Sequence, residues 1–182
     1  RTASLKIREI SHDIKVHTHR DPGVYKTAHD FLRMFINQYS YALVMLDKEG
    51  CGCDEDSNRI AENIQSRLDS SGWKDRSKVI VLDPELEIWV WSDSPEVALC
   101  IGWNNSELRG WLLSEGHILP NEHKPRNPKR AFEDALRVKQ KPRSSAIYGK
   151  LAERVSLERC TDKAFQTFRN TLQYWFPAGS IL

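Results

Sequence analysis

The chain has no apolar run approaching the roughly 18 residues that a spanning helix needs, and its opening, Arg1-Thr2-Ala3-Ser4-Leu5-Lys6, lacks the apolar centre of a secretory signal. These absences lead us to expect a soluble protein of the cytoplasm with no membrane partner. Cysteine is scarce, at Cys51, Cys53, Cys100 and Cys160 only, and a chain of 182 residues with six tryptophans does not need disulfide staples to hold a core. Net charge is small too: 27 Lys and Arg against 25 Asp and Glu leave +2, so no global field argues for nucleic acid or an anionic surface. Any such argument has to rest on local patches. Repeats and low-complexity segments are absent, and the length suits one domain.

What is present falls into two halves. In residues 1–83 short β-like runs alternate with helical patterns. Leu5–Ile10 and Ile14–Thr18 read as strands, and Val24–Tyr39 carries Phe31, Leu32, Phe35 and Ile36 on a helical stripe. Tyr41–Leu46 is a continuous apolar run. Ser57–Leu68 reads as a helix with Asp56 or Ser57 as N-cap, and Lys78–Leu82 as another buried strand. Unbroken apolar strands around a helix predict a mainly parallel sheet with crossover helices. From 84 to 182 the pattern is helical: Glu85–Ser92, Pro95–Ile101, Ser106–Leu113, a helix opened by Asn127-Pro128 and running through Val138, Ser145–Val155 and Asp162–Phe176. The expected fold is an α/β core with flanking helices and a helical C-terminal half packed on it.

Ligands of open parallel sheets bind beyond the carboxyl ends of the strands. Two such ends are acidic here: Tyr41–Leu46 runs into Asp47-Lys48-Glu49-Gly50, and Lys78–Leu82 into Asp83-Pro84-Glu85-Leu86-Glu87. If the strands are neighbours, Asp47, Glu49, Asp83 and Glu87 converge; Asp47 and Glu49 would bind a metal, with Asp83, Glu85 or Glu87 completing or positioning the site. Crowded carboxylates repel unless a cation neutralises them, and hard oxygen ligands suit Mg2+ or Mn2+. The chemistry this points to is metal-assisted phosphodiester hydrolysis. Capping and solvation are the other roles open to the same acids.

Three further groups stand out. His17 and His19 would share one face of a strand, the spacing of a metal pair, and with Arg20 they precede the turn Asp21-Pro22-Gly23, where they could flank a substrate channel. Cys51-Gly52-Cys53 lacks the second pair of a structural zinc site and reads as a tight turn. Between Lys124 and Arg143 the chain carries Lys124, Arg126, Lys129, Arg130, Arg137, Lys139, Lys141 and Arg143 against Glu133 and Asp134. This basic stretch can guide a nucleic-acid backbone, DNA or RNA, with Lys124, Arg126, Lys129 and Arg130 as its leading contacts, or form a solvated helix face. Trp89 reads as core; Trp91, Trp103 and Trp111 suit either core or base stacking.

Val44-Met45-Leu46-Asp47-Lys48-Glu49-Gly50 resembles the D-x-D/E-x-G strand end of Toprim domains, found in topoisomerases, primases and overcoming-lysogenisation-defect nucleases. Pro84-Glu85-Leu86-Glu87-Ile88-Trp89 resembles the P-E-x-E-x-W signature of a defence-associated Toprim-like family. Pro128-Lys129-Arg130, Tyr148, and the spacing of Leu157, Cys160, Phe165 and Phe168 match the C-terminal pattern of that family, so the resemblance spans roughly 16–172. It implies a Toprim-like domain with Asp47 and Glu49 as the paired catalytic, metal-binding acids. It also implies a nuclease or nuclease-derived subunit within a prokaryotic antiviral defence system, whose other proteins would be its partners. The alternative is a non-catalytic assembly module of the same complex. Toprim domains open with a strand ending in a glutamate. Glu9 is too close to Ile14 for a crossover helix, so that element is expected upstream of Arg1, or it is absent.

Overall fold

The computed structural model describes residues 2–92 and 94–179. Strand β1 (Ala42–Asp47) alternates buried and half-buried positions, and β2 (Ser77–Leu82) is buried from Val79 onward. They pair in parallel, Ala42 opposite Ser77 and Asp47 opposite Leu82, so both acidic ends emerge together. Helix α3 (Ser57–Leu68) makes the crossover. Asp56 caps it by accepting from the backbone N–H groups of Asn58 and Arg59, and Ile60, Ile64 and Leu68 lie buried at the i, i+4, i+8 spacing of one face. A single π-turn, Asp69–Trp73, leads into β2, with Gly72 at φ +91° where a side chain would be strained. Trp73 is fully buried beneath the guanidinium of Arg76, which lies 4.5 Å from the ring centroid.

Helix α1 is the short Thr2–Leu5, and α2 spans Arg20–Arg33 with an irregular residue at Thr27. Helices α2 and α3 and the sheet enclose one core, built on Leu46, Ile60, Ile64, Leu68 and Trp73. The second core lies among α4 (Glu87–Val90), α5 (Pro95–Ile101), α6 (Asn105–Ser114), α7 (Pro128–Val138) and α8 (Ser145–Arg154), around Trp91, Ile101, Trp103, Phe132 and Leu136. Helix α9 (Lys163–Trp175) packs back against β2. The architecture is therefore mixed α/β, with a helical second half.

Two sequence expectations need correction. Leu5–Ile10 and Ile14–Thr18 are not strands. Among the described residues only β1 and β2 form a sheet, and the N-terminal stretch makes a single bridge, Ile7 to Pro177. Ile14 and Val16 are 82% and 60% exposed, because β-prone residues without a partner strand have nothing to pack against. The N–H groups of Ala42 and Lys48 donate to carbonyls at Arg76 and Leu82, so the alternate residues Leu43, Met45 and Asp47 turn theirs to the other edge. No helix among the described residues is long and apolar enough to cross a membrane.

Candidate metal centre

Asp47 ends β1 with its carboxylate turned toward the C-terminal edge of the sheet. Its Oδ1 accepts from the N–H of Leu86 at 2.9 Å, and its own N–H donates to Oδ1 of Asp21 at 3.1 Å. Burial pushes the Asp47 carboxyl up to about 6, the neighbouring charge of Asp21 adds to this, and Glu87 and Glu85 contribute less; the Leu86 bond opposes them. A cavity of about 380 Å3 is lined by Asp21, Asp47, Glu49 and Glu85 together with Asn127, Lys129, Arg130 and Glu133. Among the described residues neither Asp21, Asp47 nor Glu49 has a Lys or Arg nitrogen within ion-pair distance.

The other three predicted ligands are spoken for. Asp83 Oδ2 takes Lys48 Nζ at 3.1 Å and the hydroxyl of Ser57 at 2.8 Å, and it does not line the cavity. Glu85 is 4% exposed; its Oε1 accepts from the N–H of Lys129 at 2.9 Å, in the first turn of α7, and its Oε2 lies 3.8 Å from Lys129 Nζ. Burial raises the Glu85 carboxyl, against the pull of that N–H. Glu87, 2% exposed, accepts from the Tyr148 hydroxyl at 2.5 Å and from Arg143 at 2.8 Å. Two residues further, Trp89 Nε1 donates to Asp162, the N-cap of α9. Glu85, Glu87 and Trp89 thus each fasten a different C-terminal helix, α7, α8 and α9. Their sequence pattern marks a set of tertiary ties, and Glu85 alone of the three also reaches the cavity.

The basic stretch divides in the same way. Lys124 Nζ donates to the carbonyl of Ile88 and Arg126 pairs with Glu122, both outside the cavity. Lys129 and Arg130 line it; Arg130 is paired only loosely, at 3.6 Å, with Asp134. Arg137 also pairs with Asp134, and Lys139 lies over the ring of Trp103. The indoles of Trp91 and Trp103 are buried and donate to carbonyls of Pro128 and Ala135, which makes both of them core. Cys51 is buried and Cys53 half-buried, with neither joined to another cysteine. The His17 and His19 rings, 5.9 Å apart, do not share a strand face; His17 is buried against Phe31.

Asp21 is the residue that reading the sequence missed. It sits in the first turn of α2, ahead of Pro22-Gly23, and only its bond to Asp47, 26 residues away, brings it to the site. Among the described residues no three His, Cys, Asp or Glu side chains are grouped closely enough to hold an ion by themselves. Mg2+ does not require such a cage: it keeps several waters and binds through one or two carboxylates plus substrate phosphates. Asp47 and Asp21, with Glu49 on the same cavity, are a donor set of that kind. No family model matches the chain, and neither does any curated protein or solved structure.

Proposed function

We propose that this is a Toprim-like, Mg2+- or Mn2+-dependent nuclease or nuclease-derived subunit, acting beside other proteins of a prokaryotic antiviral defence system. The observation that carries the reading is the Asp47–Asp21 contact: a half-buried carboxyl raised to about 6 beside a second carboxylate, with no Lys or Arg nitrogen among the described residues within ion-pair distance of either. A divalent ion bound there would neutralise the acids and polarise a phosphoryl oxygen. Asp47 and Asp21 would hold it, with Glu49 on the same cavity. Lys129 and Arg130, on the same cavity, would take the nucleic-acid phosphates and orient the backbone.

The second reading, a non-catalytic assembly module, draws on the pairing of Asp83, Glu85 and Glu87 with Lys48, Lys129 and Arg143. One experiment separates them: Mg2+ and Mn2+ titrated into the wild type and Asp47→Asn, following heat and melting temperature, then cleavage of single- and double-stranded DNA and RNA. Metal binding that raises the melting temperature, lost with cleavage in Asp47→Asn, supports the nuclease. A variant that behaves as wild type supports the assembly module.

A further inference from the structure

Asp21 can contribute only if the turn that carries it is held, and among the described residues its carboxylate accepts just one hydrogen bond, from the Asp47 N–H. That turn is unusual. Arg20 takes φ +51°, a conformation uncommon outside glycine, and the residue before α2 supplies no side-chain cap. In place of a cap, a buried imidazole fills the first turn of the helix. His17 Nδ1 accepts the N–H of His19 at 3.1 Å, so Nδ1 carries no hydrogen and the ring hydrogen sits on Nε2. Nε2 lies 3.1 Å from Thr27 Oγ1, whose hydroxyl donates onward to the Gly23 carbonyl at 3.0 Å. The donors therefore run in one direction, from imidazole to hydroxyl to carbonyl. The His17 carbonyl accepts the N–H of Arg20 at 3.0 Å, and the His19 carbonyl that of Gly23 at 3.2 Å. A Cβ on Gly23 would stand 2.1 Å from His17 Nδ1, so only glycine leaves room for the ring.

We infer that His17 is a positioning residue: its neutral imidazole locks the turn 17–23 so that Asp21 meets the Asp47 N–H and faces the cavity. The metal-affinity consequence rests on the function proposed above; the geometric consequence does not. Asp21 lies between two residues of the turn, His19 and Gly23, that the His17 ring touches or bonds, so loss of the ring frees the carboxylate without removing it.

The test uses His17→Ala, His17→Asn, Gly23→Ala, Asp21→Asn and the double variant His17→Ala/Asp21→Asn. Asparagine can accept the N–H two residues on, the bond Nδ1 makes, and so restores the turn without the imidazole. In metal-free protein, hydrogen exchange of the Asp47 amide should quicken in His17→Ala, and in Gly23→Ala by displacement of the ring, return toward wild type in His17→Asn, and change little in Asp21→Asn, whose side-chain oxygen still accepts that N–H. Mn2+ affinity should weaken about tenfold in His17→Ala, the usual effect of losing a partner that orients a ligand, recover in His17→Asn, and fall no further in the double variant than in Asp21→Asn alone. An unchanged Asp47 amide in folded His17→Ala and Gly23→Ala overturns the inference, as does a His17→Ala loss of affinity that persists undiminished without Asp21. Altered exchange with no Mn2+ binding in any protein, wild type included, upholds the positioning role and overturns the metal reading.

Discussion

The hydroxyl of Tyr148 donates to Glu87 across 61 residues of sequence, at 2.5 Å, onto the same carboxylate oxygen that Arg143 reaches at 2.8 Å. Glu87 is almost wholly enclosed, so this pairing decides whether its charge can be carried in the interior at all. Burial and the hydrogen bond to Glu87 together hold the Tyr148 phenol well above its ordinary range, which keeps it a donor at every physiological pH.

Tyr148→Phe removes that donor and leaves the ring packing on Phe132. A buried acceptor losing one of two partners costs about 1–3 kcal/mol, so the urea midpoint should fall by the corresponding amount. Metal affinity should be unchanged, because Glu87 does not line the cavity. An unchanged midpoint would show that the carboxylate is satisfied without the phenol.

How far the sequence could be read depended on distance along the chain. The run Tyr41–Leu46, the Asp56 cap and the Asn127-Pro128 start are local signals, and β1, α3 and α7 appear within a residue of them. Ile14–Thr18 has strand composition, yet a strand needs a partner, and here the ring of His17 turns into the start of α2 instead. The acidic strand ends were legible as a place, and Asp47 and Glu49 do share a cavity. Which acids were free was not legible. Glu85 and Glu87 find Lys129 and Arg143 at separations of 44 and 56 residues, and no periodicity encodes such pairings. Asp21 was hidden for the same reason.

Asp47→Asn should act in opposite directions on the empty and the metal-loaded protein. Burial holds the folded carboxyl at about 6, above its unfolded value of about 4, so folding takes up a proton between these values. The stability this supplies is complete below pH ~4 and lost as pH rises through about 6. In chelator, wild-type melting temperature should decline over that window, while the asparagine variant, which keeps the Leu86 bond, should decline less and melt higher at pH 7.5. Divalent metal should reverse the order of the two proteins. A wild-type melting temperature flat across the window would remove the crowding argument.

Arg130→Gln and Lys129→Gln test the phosphate role. Arg130 is three-quarters exposed and its contact with Asp134 is of the surface kind that contributes little, so the side chain is free to move onto a ligand. Each substitution should weaken nucleic acid of any sequence alike and lower the slope of log K against log salt by about one. Lys129→Gln should also cost some stability, since Lys129 Nζ lies against the buried Glu85. Binding indifferent to both changes would return this stretch to a solvated face.

Asp162 serves two donors with one oxygen: Oδ1 accepts Trp89 Nε1 at 2.9 Å and the N–H of Phe165 at 3.0 Å. The first bond ties the segment after β2 to α9, the second caps α9, and Phe165 and Phe168 close over the indole at centroid distances of 5.1 and 5.6 Å. Asp162→Ala should lose both, about 1–2 kcal/mol for the cap alone, and expose the indole enough to redshift its fluorescence. Asp162→Asn keeps an oxygen acceptor and should recover most of the stability. Trp89→Phe removes the indole donor but not the cap, so combining it with Asp162→Ala should cost less than the two separately, by about 0.5 kcal/mol or more. Strict additivity would mean that Trp89 and Asp162 are neighbours without being coupled, and that α9 is held to the sheet by its apolar face alone.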